Sequence, residues 1–397
     1  MKIGSSINLD GAEKVSLSSD GKTVAIGAYV HDYYSGRVRV YKRSKNDVWL
    51  KVGNDIDGVA EGDESGWSLS LSSDGKTVAI GAPYNDDNGN DSGYVRVFKL
   101  SKNEDVWVQI GDDIVGEAAD DQSGWSVSLS SDGKNVAIGA PYNNENGDHS
   151  GHVTVYKLSK NDVWVQIGDD IDGYAVDNLL GSSVSLSSDG KTVAIGGEGD
   201  DDYQGHVRVF KLSKNEDVWV QIGDDIDGDA VNDMFGSSVS LSSDGKTVAI
   251  GSYAHDYYSG HVRVFKLNSS DVWEKVGDDI DGVAESDLSG YSVSLSSDGK
   301  TVAIGAPLND GNNDDDYDSG HVRVYKLSKN EDVWVQVGDD IVGEAADDQI
   351  GEAVSLSSDG KTVAAVSYGS SVDIYELKSN KKANKKKNKS PKKNKKK

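Results

Sequence analysis

The phrase SLSSDGK occurs seven times, ending at Lys22, Lys76, Lys134, Lys191, Lys246, Lys300 and Lys361, at spacings of 54 to 61 residues. A chain that copies itself at this period builds one supersecondary unit per copy and buries each unit against its neighbours. Within a copy the order is SVSLS, the turn SDGK, TVAIGA, a polar loop, GHVRVYKL, the turn SKNED, and VWVQIGDDI. These are four runs of period-two alternation separated by Gly, Asp, Asn and Ser turn chemistry, which predicts four short antiparallel strands. Four strands per repeat predict an all-β fold, a seven-bladed β-propeller with radial four-stranded sheets packed face to face.

The alternation suits that packing. In the first two strands Val184, Leu186, Val193 and Ile195 alternate with Ser185, Ser187, Ala194 and Gly196, so each sheet has a bulky face and a small one that can mesh near a crowded axis. Trp49, Trp107, Trp164, Trp219, Trp273 and Trp334 open the fourth run, where a large ring can fill the widening wedge between blades. There are six such Trp strands for seven phrases. The seventh copy stops after SSVDIYELK, whereas the chain opens with MKIGSSINL, which carries the I/V-G-x-x-I of VQIGDDIDG. Residues 1–9 are therefore expected to supply the missing strand and close the ring, leaving no terminal edge for other chains to extend.

Phe235-Gly236 before a first strand, and Gly81-Ala82-Pro83, Gly139-Ala140-Pro141 and Gly305-Ala306-Pro307 after a second, resemble the FG-GAP repeat of integrin alpha-subunit propellers. The resemblance spans residues 1–377 and implies a seven-bladed propeller serving adhesion or protein recognition. In that family some repeats carry a calcium loop D-x-D-x-D-G between the first and second strands. Here that connection is SSDGK in every copy, so those metal residues have no counterparts.

Charge divides the chain sharply. In an antiparallel blade the 2–3 and 4–1 connections share one face, and they hold 45 of the 67 acids with no Lys or Arg. The other turns are near neutral. Lys378 to Lys397 carry 12 lysines and no acid, leaving the preceding 377 residues at −38 against −26 for the whole chain. A low-complexity cationic run cannot bury apolar surface, so 378–397 reads as a disordered tail behind a propeller spanning 1–377. The chain has no Cys, no apolar run of membrane length and no apolar core of a signal peptide in residues 1–20. These features favour an intracellular or particle-associated protein, without a disulfide framework or a Cys nucleophile.

Candidate sites lie in the acidic loops. Asp310, Asn312, Asp314, Asp316 and Asp318 recur at every second residue, and Asp86, Asn88, Asn90 and Asp91 form a weaker copy. Such oxygen-rich, Gly-containing loops suit Ca2+, the one cofactor the sequence suggests, although Asx turns explain the same composition. Tyr84, Tyr142, Tyr33, Tyr257 and Tyr317, with Tyr34 and Tyr258, share these loops and are candidates for contact with a protein or glycan partner, or for capping the blade tops. His152, His206, His261 and His321 sit in repeat register at the start of the third strand, as packing residues. Lys385, Lys386, Lys387, Lys389, Lys392, Lys393, Lys395, Lys396 and Lys397 are candidates for contact with a polyanion, nucleic acid or an anionic surface, or with the acidic face of another subunit. The expectation is a non-enzymatic binding or structural module. A hydrolase or lyase on the same scaffold, and a nucleic-acid-associated protein acting through its tail, are the alternatives. A third is acidity as adaptation to salt.

Overall fold

In the computed structural model, residues 1–102, 105–199, 203–214, 218–310, 317–328 and 332–377 are described. Seven sheets form, one per copy of the phrase. In blade 1, Lys14–Leu17, Thr23–Ala28, Arg37–Arg43 and Trp49–Lys51 pair in sequence order, each antiparallel to the last. The first strands of all seven blades line a central channel, so they are the innermost. This is the seven-bladed propeller that the repeat predicts.

The fourth run departs from the expected single strand. Ile56–Asp57 also pairs with Arg37–Arg43, and the same split recurs in blades 2 to 6. Gly53 sits in the interruption at φ +75°, and a Cβ there would come within 2.7 Å of Trp107 Cδ1 in the next blade. The outer strand thus bulges where the neighbour's indole arrives, and Gly is required on both steric and conformational grounds. Trp107 Nε1 donates to the Val52 carbonyl at 2.9 Å. The latch repeats round the disc from Trp164 to Ile110, Trp219 to Ile167, Trp273 to Ile222 and Trp334 to Val276.

Residues 1–9 complete blade 7. Ile7 and Asn8 pair with Val372 and Ser371 beside Val354–Leu356, Thr362–Ser367 and Ser371–Glu376. Ile3 and Ile7 are buried with Val372 and Ile374 against Leu17, Val24 and Ile26 of blade 1. Trp49 donates to the Ile3 carbonyl at 3.0 Å, making the same latch as in the other blades.

The core lies between blades rather than within them. Ala25, Val38 and Val40 of blade 1 pack on Leu71, Val78, Ile80 and Trp107 of blade 2, and equivalent clusters fill the other junctions. Towards the axis, serine replaces apolar contact. Leu17 N–H, on the free edge of its innermost strand, donates to Ser355 Oγ of blade 7 at 2.9 Å; Leu71 does so to Ser16, and the pattern continues through all seven blades. A second ring runs through the SSDGK turns: Ser19 N–H donates to the Ser73 carbonyl, Ser73 to Ser131, and so on until Ser358 returns to Ser19, at 3.0 to 3.1 Å. The Ser-rich strand is therefore an edge strand whose free amides are satisfied by the next blade.

Among the described residues, no helix is long and apolar enough to cross a membrane. The two helical segments are single turns, His31–Tyr34 and His255–Tyr258.

Deleting residues 1–9 strips the outer strand from blade 7 and leaves the Trp49 indole N–H without its carbonyl. The expected outcome is a melting temperature lowered by at least several degrees together with concentration-dependent association, read by calorimetry and size-exclusion chromatography. An unchanged melt would show that the first strand is dispensable. Gly53→Ala should cost about 1–3 kcal/mol in urea denaturation, because it forces an L-residue to positive φ against Trp107.

Candidate binding face and channel mouth

Two kinds of acid occupy the loop-rich face. Except in blade 3, the Asp before the Ile of D-D-I, or of N-D-I in blade 1, lies in the bulge of the outer strand and meets an Arg from the third strand. Arg39 makes a two-pronged contact with Asp55 at 3.0 and 2.8 Å. Arg96 reaches Asp113, Arg208 Asp225, Arg263 Asp279 and Arg323 Asp340. The sequence reading of a face without Lys or Arg is corrected at this point: bulging brings these carboxylates alongside strand residues that linear counting assigned elsewhere. Hydrogen bonds from Arg39 hold the Asp55 carboxyl far below the usual range, outweighing its partial burial.

The remaining acids stay in the loops. In blade 2, Asp86 Oδ1 accepts from Asp91 N–H at 2.9 Å; Asn88 Nδ2 donates to the carbonyls of Gly116 and Glu117, and Asn90 Nδ2 to Asp91 and Asp120. The four side chains turn the loop and staple it to the next connection, with both amides acting as donors. Asp310 likewise accepts from Asp318 N–H, at 3.3 Å. Asn312, Asp314 and Asp316 lie outside the described residues, as do Lys385, Lys386, Lys387, Lys389, Lys392, Lys393, Lys395, Lys396 and Lys397.

The tyrosines fall into two groups. Tyr33, Tyr257 and Tyr317 are 77%, 76% and 66% exposed. Tyr33 and Tyr257 stand in left-handed turns, with φ of +50°, +54° and +63° through Asp32, Tyr33 and Tyr34. Backbone bonds hold these turns in place: Gly62 and Glu64 donate to the carbonyls of Tyr33 and Tyr34, and Ser286 and Leu288 to those of Tyr257 and Tyr258. Such a conformation costs roughly 1–2 kcal/mol per residue, and here it presents two rings to solvent.

Tyr84 and Tyr142 are instead half-buried against two tryptophans that line the mouth of the central channel, a cavity of about 500 Å³. They stand edge-on to Trp67 and Trp125, at centroid distances of 5.8 and 5.5 Å. Trp67 contacts Trp125 at 4.7 Å and Tyr29 at 4.8 Å, so blades 1 to 3 line their side with a continuous aromatic surface. Tyr253 and Tyr291 pair at 5.6 Å across the opening.

Carboxylates fill the gaps. Glu13 is 2% exposed, and its Oε2 has no partner. Glu352 and Glu198 lie in the channel lining together with Tyr291. Burial pushes the Glu64 carboxyl up to about 7, reinforced by the negative charges of Glu13 and Asp91. Lys14 is the basic residue among those lining the channel, with its ammonium 5.9 Å from the Trp67 ring centroid.

The mouth escaped the sequence reading, yet it left a signal. The residue after the blade-opening Gly or its equivalent reads Glu13, Trp67, Trp125, Ser182, Ser237, Tyr291 and Glu352. It varies inside an otherwise copied segment, and only the ring closure reveals that all seven positions share one rim.

The FG-GAP repeat matches residues 57–98 and 116–156. This propeller carries FG-GAP repeats. No curated protein matches the chain. Among solved structures, Kuenenia stuttgartiensis hydrazine synthase is similar with a TM-score of 0.60 at 14% identity, covering 93% of this chain and 96% of that chain. At that identity the likeness concerns the fold alone.

Glu64 supplies a test of the electrostatics of this FG-GAP propeller. Its folded pKa lies above the unfolded value of about 4.3, so the folded chain retains a proton through that window and loses stability as pH rises to about 7. Glu64→Gln removes the penalty. The melting temperature of the variant should exceed that of the parent at pH 8, with the difference shrinking towards pH 4.5; a constant difference would contradict the assignment.

Proposed function

We propose that this FG-GAP propeller is a non-enzymatic binding module that receives a cationic protein on its acidic loop face, with a basic side chain seated in the channel mouth. The observation that carries the reading is the pairing of aromatic faces with carboxylates around one opening. Aromatic faces attract cations through their quadrupole, by about 0.5–2 kcal/mol depending on desolvation. Carboxylates that repel one another gain further from a cation placed between them. Lys14 against Trp67 is an example of the same interaction within the chain.

The surroundings support recognition. The exposed Tyr33, Tyr257 and Tyr317 offer large contact area in the 2–3 loops of the same face. The net negative body steers cationic partners towards the face, in a manner that salt weakens. The Lys-rich tail then acts as a second attachment, to a polyanion or to the acidic face of a neighbouring subunit. Ca2+ at the Asp86–Asp91 and Asp310–Asp318 loops would modulate the face by cancelling part of its charge.

The test is a titration of Arg- and Lys-containing peptides followed by tryptophan fluorescence, with residues 378–397 removed so that the tail does not compete. The expected result is saturable binding that weakens at least tenfold in Trp67→Ala and in Trp125→Ala, and strengthens from pH 6 to 8 as Glu64 ionises. Binding unaffected by either substitution would move the partner away from the mouth. A neutral glycan that binds as tightly as the basic peptides, or turnover of any substrate that depends on the mouth residues, would overturn the proposal.

A further inference from the structure

Blade 3 breaks the pattern of Arg–Asp pairs. Its third strand reads HVTVYKL where the described blades 2, 4, 5 and 6 carry Arg after His-Val or Tyr-Val, so Thr154 stands where Arg96, Arg208, Arg263 and Arg323 stand. Asp170, the counterpart of Asp55, Asp113, Asp225, Asp279 and Asp340, therefore has no guanidinium beside it. Gln166 Nε2 donates to its Oδ1 at 2.6 Å, which satisfies one oxygen and leaves the charge uncompensated.

Three further ligands converge on that position. Glu117 arrives from the connection between blades 2 and 3, Glu145 from the 2–3 loop of blade 3, and His152 from the start of its third strand. One ligand atom from each of the four residues lies within 4.8 Å of the others. His152 is 3% exposed, and its Nδ1 has no hydrogen-bond partner. Burying an unpaired imidazole nitrogen beside three carboxylates is costly for the apo protein unless a ligand satisfies it.

We propose that His152, Asp170, Glu117 and Glu145 bind a divalent first-row transition ion of the Mn2+ or Zn2+ class at the edge of blade 3. Three carboxylates and one imidazole form a mixed oxygen–nitrogen set, which suits these ions better than Ca2+, whose shell is built of six to eight oxygens. Metal–ligand bonds of about 2.1 Å place ligand atoms about 3.4 Å apart in a tetrahedron and at most about 4.2 Å apart in an octahedron. Small rotamer changes in the exposed Glu117 and Glu145 close the remaining distance.

A second group, His261, Asp279 and Asp281, provides an internal contrast. There Arg263 and Lys275 both contact Asp279, at 3.2 and 2.8 Å, so cations of the protein already occupy the electrostatic role. The site in blade 3 is distinct from the channel mouth and does not depend on the function proposed for it.

The experiment uses the full chain, stripped of metal with a chelator, titrated with Mn2+ under electron paramagnetic resonance and with Zn2+ under calorimetry. The expected result is one equivalent of ion bound at least tenfold more tightly than Ca2+. Thr154→Arg, which restores the arginine found in blades 1, 2, 4, 5 and 6, should weaken that binding at least tenfold, and so should Glu145→Gln in the exposed loop. If Thr154→Arg fails to fold by circular dichroism, Glu145→Gln decides. A tight equivalent that survives Glu145→Gln, or no saturable binding of either ion, overturns the assignment.

Discussion

The hydrogen-bonded seam between innermost strands is the constraint on which the rest of this propeller depends. An innermost strand exposes one edge to the channel, and its amides cannot all be left to water in a packed centre. Serine hydroxyls from the adjacent blade take the Leu amide of each, and a ring of backbone bonds through the SSDGK turns closes after Ser358 returns to Ser19. Because the seam is a closed circle, the angular position of every blade is set by all the others. The mouth residues inherit that precision: Trp67, Trp125, Tyr291, Glu13 and Glu352 sit at equivalent positions on five of the seven strand entrances.

At the rim the principle changes from hydrogen bonds in a narrow space to large rings in a wide one. Each outer-strand Trp inserts beside the Gly of the preceding blade and donates to the carbonyl of the residue before that Gly. The bulge this creates moves the D-D-I carboxylates along the strand and into reach of third-strand arginines. Structural acids and available acids are thereby separated: the former are neutralised at the rim, the latter gather in the loops and at the mouth. Blade 3 is the exception, since Thr154 leaves Asp170 on the available side.

Much of the architecture was legible because the repeat made the same argument seven times. The alternation in VSLS and TVAIGA identified paired strands, and the orphaned MKIGSSINL identified the closing strand, later found on Val372 and Ser371. The acidic loop face and the packing role of the third-strand histidines could also be read in part. The split outer strand could not, because its cause is an indole from another blade. Nor could the mouth, whose members lie roughly one blade apart in sequence and share nothing except a place on the ring. His152 shows the limit most clearly, as its repeat register pointed to packing while its neighbours Glu117 and Glu145 come from loops whose meeting depends on the fold.

By itself the sequence determined the unit, the number of units, the closing strand and the sign of the charge, since each follows from local periodicity, turn chemistry and composition. Only the tertiary structure decided which acids are paired, which aromatic residues share the mouth and where the uncompensated Asp170 lies. The physical reason is that those outcomes depend on distances between blades, and a code written in near-identical repeats states what each blade is without stating which of its few differing side chains will face one another.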